Sequence, residues 1–231
     1  MTETTRPVAV VTGATGGMGG AIARDLARTH TVHALGRDAD ALAALAELGI
    51  EPHAVELADA DALAAFGASL PRVDVLVHAA AISGHVSVED ADAALWARAL
   101  ATNVIGPALL TRALLPALRA AEATVVFIGS GAGTKSVPGS AVYTATKHAL
   151  RAVADVLRID EERNRIRVVT LAPGQTDTAM LRASTPEGSY TPERYIRPET
   201  VAGAVRGLVD LPADAQITDV ALRPRQEIAR L

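Results

Sequence analysis

The sequence contains no cysteine, only 3% aromatic residues and no long uninterrupted hydrophobic run. The absence of cysteine excludes disulfides, thiolate zinc sites and thiol nucleophiles. Every apolar run is shorter than the roughly 18 residues that a transmembrane helix needs, so the sequence predicts no membrane span. The N-terminal residues show no hydrophobic stretch typical of a secretion signal, and we therefore expect a cytoplasmic protein.

The sequence also lacks an excess of positive charge. Its 22 basic and 26 acidic residues are interspersed and give a net charge of −4. This balance predicts no nucleic-acid partner and no binding to a membrane surface. A chain of 231 residues can bury roughly 70% of its unfolded surface, so we expect one domain, residues 1–231, that needs no metal or disulfide for stability.

Lysine is rare: the chain has 20 arginines and only two lysines, Lys135 and Lys147. Where a positive charge is merely useful, this sequence uses arginine. A lysine retained against that bias is a candidate for a role that a planar guanidinium cannot fill.

Short apolar segments alternate with helical patterns along the chain. The predicted strands are 8–11, 31–35, 52–57, 73–77, 124–128, 166–171 and 217–222. The first predicted helix follows the glycines and ends near residue 28. The other predicted helices span 38–48, 59–71, 88–101, 104–119, 141–163 and 198–209. Uniformly apolar strands that alternate with helices indicate an α/β fold, a doubly wound parallel sheet of the Rossmann type with about seven strands.

The segment from Pro173 to Pro198 contains four prolines and little periodicity. It is too long for an ordinary connection, so we predict a substrate lid over residues 179–197. Five residues of segments that would flank a pocket are candidates for substrate contact: His85, Met180, Leu181, Tyr190 and Tyr195.

The first predicted strand ends in a glycine-rich turn that includes Gly13, Gly17 and Gly19. Glycines let the backbone approach a pyrophosphate, and the following helix offers N–H donors and a positive dipole end. A tight turn of small residues is the alternative. The place of this turn, at the first strand–helix junction, favours dinucleotide binding.

The second predicted strand ends at Gly36 and Arg37. A carboxylate here would bind a ribose 2′-hydroxyl and repel a 2′-phosphate, whereas an arginine can bind the phosphate. The pattern therefore predicts NADP(H), with Thr15 of the glycine turn adding a hydroxyl. A solvated arginine at a helix start is the alternative.

Ser130 follows the fifth predicted strand, and Tyr143 and Lys147 follow in a predicted helix. A spacing of four places the two side chains one turn apart on the same helix face. A cation beside a phenol lowers the pKa of the phenol, which would make Tyr143 a usable proton donor and acceptor. Ser130 could donate a hydrogen bond to a substrate oxygen.

With these residues in place, the sequence resembles the short-chain dehydrogenase/reductase family, in its single-domain branch, from Val8 to Leu222. The residues that match the motifs of the family are Thr12, Gly13, Gly17, Gly19, Asn103, Ser130, Tyr143, Lys147, Pro173, Gly174 and Thr178. The resemblance implies a catalytic set of Asn103, Ser130, Tyr143 and Lys147. It implies cofactor contacts from Gly13, Thr15, Gly17, Met18, Gly19, Arg37, Glu56, Leu57, Ala79, Ala80, Asn103, Tyr143, Lys147, Pro173, Gly174, Thr176 and Thr178.

The sequence departs from the family at the fourth strand, where the family's N-N-A-G is replaced by His78 and three alanines. His78 could replace an asparagine contact, but a core histidine is the favoured interpretation. The C-terminus lacks the common G-G ending, which puts any interface built by that tail in doubt.

The resemblance implies an NADP(H)-dependent enzyme that interconverts a carbonyl and a secondary alcohol and forms a homodimer or homotetramer. In this scheme Lys147 lowers the pKa of Tyr143, and Asn103 places a water molecule. A non-catalytic NADP-binding sensor and a lyase or epimerase of the same fold are the alternatives. His30, His33 and His53 show no metal-ligand spacing, so the sequence predicts no metal.

Overall fold

All seven strands belong to one parallel sheet. A computed structural model describes residues 6–83 and 86–226. The strand order is β3-β2-β1-β4-β5-β6-β7, with every neighbouring pair parallel. The strands are β1 (Val8–Thr12), β2 (Thr31–Gly36), β3 (Glu51–Ala54), β4 (Val75–His78), β5 (Thr124–Ile128), β6 (Arg167–Pro173) and β7 (Asp219–Leu222).

Helices cover both faces of the sheet, which confirms the predicted fold class. The helices are α1 (Gly17–Leu26), α2 (Ala39–Ala46), α3 (Ala60–Ala68), α4 (Ala93–Leu100), α5 (Gly106–Arg119), α6 (Ala141–Asp160), α7 (Ala179–Ala183) and α8 (Pro198–Val209). Residues of α1, α2 and α8 fill the core on one face, and residues of α3, α5 and α6 fill the core on the other.

Aspartates set the starts of three helices. Asp38, Asp59 and Asp92 each accept a hydrogen bond from a backbone N–H of the first turn. Such caps satisfy donors that have no partner within the helix. The predicted start of α2 near residue 38 therefore agrees with the structure to within one residue.

Several predicted boundaries are wrong. The fourth helix begins at Ala93 rather than residue 88, after the Asp92 cap, and the third and sixth helices end at Ala68 and Asp160 rather than near residues 71 and 163. The third strand ends at Ala54 rather than residue 57, because β3 is the edge of the sheet and pairs only with β2. The predicted break between the helices 88–101 and 104–119 is instead a π-helical turn, Ala101–Ile105, that joins α4 to α5. The chain thus remains helical through Asn103, which was expected to separate two helices.

The continuous helix Ala93–Arg119 has 27 residues and a mean hydropathy of 1.3 in its most apolar window, which is long and apolar enough to cross a membrane. The sequence-based prediction of no such helix considered only uninterrupted apolar runs and missed it. In the structure, Leu110, Leu114 and Leu118 of this helix are buried in the core beside α3. Its apolar character is therefore used, at least in part, for packing against the sheet.

The strand order reverses direction between β1 and β4, which are neighbours in the sheet but not in the chain. Connections leave such a switch point to opposite sides and open a crevice at the carboxyl ends of the strands. The ends of β1, β4 and β5 therefore mark where a ligand would bind.

Candidate active site

The glycine turn after β1 has no room for side chains. Gly13 has a positive φ of 66°, and a Cβ there would lie 2.7 Å from the backbone of Ala80. A Cβ on Gly19 would lie 2.2 Å from the carbonyl oxygen of Gly13, and one on Gly17 would lie 2.9 Å from the side chain of Thr178. No side chain caps α1. The turn and helix start therefore fit a dinucleotide pyrophosphate.

Thr12 joins the glycine turn to the end of β4. Its buried hydroxyl oxygen accepts hydrogen bonds from the backbone N–H groups of Ala79 (3.1 Å) and Ala80 (3.3 Å). The two alanines, predicted as cofactor contacts, therefore lie directly against the glycine turn even though the family's asparagines are absent.

A side chain at Gly36 would clash with Thr15. A Cβ at this position would lie 2.5 Å from Cγ2 of Thr15. Thr15, another predicted cofactor contact, therefore packs over the end of β2. An aspartate at position 36 would have to displace the Thr15 side chain.

Arg37 forms an ion pair with Glu56, with 3.1 Å between Nη1 and Oε2. The side chains are 68% and 44% exposed, so the pair is open to solvent. Leu57, the next predicted contact, is buried. The structure thus brings Arg37 and Glu56, both expected cofactor contacts, together at one edge of the crevice.

Asn103 is buried inside the π-helical turn. Its Oδ1 accepts from the N–H of Ile82 (2.8 Å), and its Nδ2 donates to the carbonyl oxygen of Ile82 (2.8 Å) and to Oγ1 of Thr146 (3.0 Å). Thr146 in turn donates to the carbonyl oxygen of Tyr143 (2.9 Å). Asn103 therefore connects the segment after β4 to the helix that carries Tyr143 and Lys147.

Ser130, Tyr143 and Lys147 meet at the end of β5. The Ser130 hydroxyl lies beside the Tyr143 phenol and acts to lower the pKa of the phenol, and Ser130 also accepts a hydrogen bond from the N–H of Ala132 (3.2 Å). The Lys147 ammonium is buried, lies 5.6 Å from the centre of the Tyr143 ring, and donates to the carbonyl oxygen of Ile128 (2.8 Å). A substrate oxygen beside Tyr143 and Ser130 would meet two hydroxyl donors.

Burial favours the neutral forms of Tyr143 and Lys147 and shifts the pKa values of both. It raises the pKa of Tyr143 above 10, and the hydrogen bond from Ser130 offsets this only in part. It lowers the pKa of Lys147 from 10.5 to about 8. The shift of the Tyr143 pKa has burial and the Ser130 hydroxyl as its causes, so the expectation that Lys147 lowers the pKa of Tyr143 stays a prediction.

The end of β6 supplies the remaining predicted contacts. Pro173 and Thr176 are buried, and Thr176 donates to the carbonyl oxygen of Gly174 (3.1 Å). Thr178 begins α7 by accepting from the N–H of Leu181 (3.3 Å), and its methyl group faces Gly17. This segment therefore lies against the glycine turn.

Comparison with known proteins agrees with this arrangement. The family described as short chain dehydrogenase matches residues 7–188. The chain belongs to the short-chain dehydrogenase/reductase family. Dehydrogenase/reductase SDR family member 7B of Bos taurus is 36% identical over 205 residues, or 79% of this chain, and the chain spans 62% of the length of that relative.

Solved structures of the family share the whole fold. An alcohol dehydrogenase from the archaeon Thermococcus sibiricus, complexed with 5-hydroxy-NADP, has a TM-score of 0.88 and 27% identity, and the match covers 97% of this chain and 99% of that one. A metagenomic short-chain oxidoreductase in complex with NADP has a TM-score of 0.81 and 32% identity, with 96% and 99% covered. Membership of the family supports an oxidoreductase and suggests a nicotinamide cofactor.

His78, where this short-chain dehydrogenase/reductase departs from the family motif, is a core residue. Its ring stacks on Phe127 with 4.8 Å between centroids, and its Nε2 lies 2.8 Å from Oγ1 of Thr111. Thr111 donates its proton to Pro107, so Nε2 carries the histidine proton. Burial lowers the pKa of His78 to about 3. The favoured interpretation of a core histidine therefore agrees with the structure, although Nδ1 has no partner among the described residues.

The predicted lid is a largely exposed segment whose two ends hydrogen-bond to each other. Asp177 donates its N–H to Ile196 (2.8 Å), and Ile196 donates to Gln175 (2.9 Å). Between these points, Tyr190 donates to a carboxylate oxygen of Asp177 and packs against Tyr195, with 4.9 Å between ring centroids. The two tyrosines thus contact each other. His85, the other aromatic candidate for substrate contact, lies outside the described residues.

Sequence reasoning missed three residues that hold the site together: Thr12, Ile82 and Thr146. Thr12 was noted only as part of a motif, and its two hydrogen bonds to β4 depend on the strand order. Thr146 lies inside Y-x-x-x-K, so its position was visible, but its contact with Asn103 joins residues 43 positions apart. Only the tertiary structure shows that pairing.

A cleft of about 730 Å³ lies at the opposite end of the strands. It is lined by residues at or just before the amino ends of strands, among them Pro7, Asp74, Thr124 and Arg167. Its arginine Arg206 is already paired with acidic groups. The size of a cleft therefore does not mark the active site in this fold.

Proposed function

We propose that this protein is an NADP(H)-dependent oxidoreductase that interconverts a small-molecule carbonyl compound and a secondary alcohol. The observation that carries the proposal is the buried Lys147, which is held by a hydrogen bond to the Ile128 carbonyl beside Tyr143 and Ser130, at the same sheet edge as the glycine turn. The cytoplasm remains the expected compartment.

In the direction of reduction, Tyr143 donates its phenolic proton to the carbonyl oxygen, and Ser130 donates a hydrogen bond to the same oxygen. A bound nicotinamide would supply the hydride in this direction and accept it in the reverse. The raised pKa keeps Tyr143 protonated at neutral pH, which suits the role of general acid. Asn103 holds the helix turn that presents Tyr143 through Thr146.

The preference for NADP(H) over NAD(H) rests on Arg37. No carboxylate stands at Gly36, and we infer that the 2′-phosphate would bind to the Arg37 guanidinium. Glu56 shares this guanidinium and its own charge repels a phosphate. Because the pair is solvent-exposed, salt and water weaken the attraction. We expect a preference of about 10-fold, near the lower limit for one charged hydrogen bond.

The test is a panel of aldehydes, ketones and diketones assayed with NADPH, with Tyr143→Phe as the variant. We expect turnover of at least one carbonyl class, and a loss of about 100-fold or more in Tyr143→Phe, the usual contribution of a general acid. Binding of NADPH, followed by the fluorescence of the nicotinamide, should be unchanged because the ring is retained. Near-normal turnover in Tyr143→Phe would exclude the proposed role.

The same panel separates the alternatives. Binding of NADPH with no turnover of any carbonyl would favour a sensor. Product formation without net oxidation of NADPH would favour a lyase or epimerase.

We also propose a homodimer or homotetramer that pairs α6 and the α4–α5 helix across a two-fold axis. Ala145, Ala152 and Val156 of α6 are exposed at helical spacing, and Ile105 is 51% exposed on the other helix. Light scattering should therefore report an oligomer at micromolar concentration, and Ala152→Arg should dissociate it. A monomeric unmodified protein would refute this assembly.

A further inference from the structure

Three side chains capable of binding a metal converge at the edge of the sheet. Nδ1 of His33 lies 3.0 Å from Nε2 of His53 and 3.2 Å from a carboxylate oxygen of Glu51. The three ligand atoms all lie within 4.8 Å of one another. This cluster lies outside the active site described above.

The sheet geometry brings the three side chains together. His33 of β2 is paired in register with Glu51 of β3. Glu51 and His53 are two residues apart, so they project from the same face of β3. The histidines were judged to lack metal-ligand spacing because their separation along the chain is irregular. Pairing of adjacent strands makes that separation irrelevant.

We propose that His33, Glu51 and His53 form a binding site for a divalent transition-metal ion, with Zn²⁺ as the probe. Two imidazole nitrogens and one carboxylate oxygen are a ligand set that Zn²⁺ accepts, with a water molecule completing four-coordination.

The distances are close to those of a bound ion. Zinc–ligand bonds of about 2.0–2.1 Å in a tetrahedron place ligand atoms about 3.3 Å apart. Two of the three separations, 3.0 and 3.2 Å, would therefore open by only a few tenths of an ångström, and the third, between His53 and Glu51, lies within 4.8 Å. Without an ion, a single N–H between the two imidazoles satisfies the contact, and a change of tautomer frees both lone pairs for a metal.

The surroundings also suit a metal ion. The ring of Phe66 lies edge-on to both histidines, with centroids 4.9 Å from His53 and 6.2 Å from His33, which limits rotation of the imidazoles. Glu51 contributes a negative charge, and because its side chain is 54% exposed it gives the ion a path from solvent.

A bound ion would join the edge strand to its only neighbour. β2 leads from His33 to Arg37, and β3 leads from His53 to Glu56. The ion would therefore stabilise the segment that carries the Arg37–Glu56 pair, and its expected role is structural. Metal binding itself does not depend on the proposed function, so it is tested without an activity assay.

The experiment uses untagged protein treated with EDTA, because a polyhistidine tag would bind the same ions. Zn²⁺ is titrated calorimetrically, and Co²⁺ is followed by its visible absorption, which is intense in four-coordinate sites. We expect one ion per chain and a rise in melting temperature, as follows when a ligand binds only the folded state.

Two variants and one control decide the outcome. His53→Gln and Glu51→Gln should each weaken Zn²⁺ binding at least about 10-fold, the minimum effect of disturbing a metal site. Glu51→Gln alters a largely exposed side chain and keeps the fold. His148→Gln removes an exposed histidine of α6 and should leave binding unchanged. Absence of saturable binding, or equal loss in His148→Gln, would show that the cluster is only a hydrogen-bonded histidine pair.

Discussion

Replacing Lys147 with methionine should make the protein more stable at neutral pH, although it should abolish or cripple catalysis. Methionine has a similar length and no charge. Lys147 is buried and its pKa is lowered from 10.5 to about 8. The fold therefore holds a cation that would be better solvated in the unfolded chain.

The size of this effect follows from the pKa change. At about 1.4 kcal/mol for each pKa unit, the fall from 10.5 to about 8 corresponds to a penalty of about 3 kcal/mol. Lys147→Met also removes the hydrogen bond to the Ile128 carbonyl, which contributes about 1 kcal/mol. The net expectation is a gain of about 2 kcal/mol at pH 7, or roughly 4–8 °C in Tm for a chain of this size.

The pH dependence gives the sign of the effect. The unfolded lysine is protonated below pH 10.5, whereas the folded one is protonated only below about 8. Unfolding between these values takes up a proton, so the stability of the unmodified protein should increase with pH from about 8 to 10.5. Below pH 8 the whole penalty is present. Lys147→Met should lack this contribution to the slope, and its advantage should disappear near pH 10.

Urea unfolding at a series of pH values measures these differences. Lys135→Met is the matched control, because Lys135 is exposed and its replacement should leave the free energy of unfolding nearly unchanged. Cofactor-free protein is required, since a ligand would change the surroundings of Lys147. A Lys147→Met variant that is less stable than the unmodified protein at pH 7, with the same pH slope, would refute the reasoning.

Three further outcomes are expected. Because burial raises the pKa of Tyr143, kcat/KM for alcohol oxidation should increase with pH as the phenolate forms, and a falling profile would contradict this. Arg37→Ala should remove most of the preference for NADPH, and Glu56→Gln should increase that preference several-fold. Arg28→Ala, which removes an arginine paired with Asp25, is the control and should leave the KM values for NADPH and NADH unchanged. Hydrogen exchange over residues 179–197 should be fast in the free protein and slower with cofactor and ligand bound; slow and unchanged exchange would argue against a lid.

The fold was predictable because most strands are short, apolar and followed by a helix; β3 and β7, at the two edges of the sheet, are more exposed. The Asp caps fixed helix starts locally, and the parallel topology followed from the alternation. The end of β3 was not predictable, since it depends on β3 being an edge strand. The π-helical turn at Asn103 was also missed, because it depends on hydrogen bonds between the Asn103 side chain and Ile82, 21 residues away.

The candidate site was also predictable only in part. Residue types and spacing indicated Ser130, Tyr143 and Lys147, and the strand ends indicated Gly36 and Arg37. Spacing along the chain carries no information about burial, however. The directions of both catalytic pKa values therefore required the structure, as did the contact of Arg37 with Glu56.

The order of the two catalytic pKa values gives Lys147 a role different from the one the sequence suggested. After Tyr143 has given up its proton, the phenolate is the conjugate base of an acid with a pKa above 10, whereas the Lys147 ammonium has a pKa of about 8. We therefore expect that Lys147 can supply a proton toward Tyr143 during reduction, in addition to contributing its charge. Lys147→Arg separates these roles, because a guanidinium keeps the charge but does not release a proton at these pH values. Carbonyl reduction by Lys147→Arg should fall by at least about 10-fold in kcat, and a kcat close to that of the unmodified enzyme would show that charge alone is sufficient.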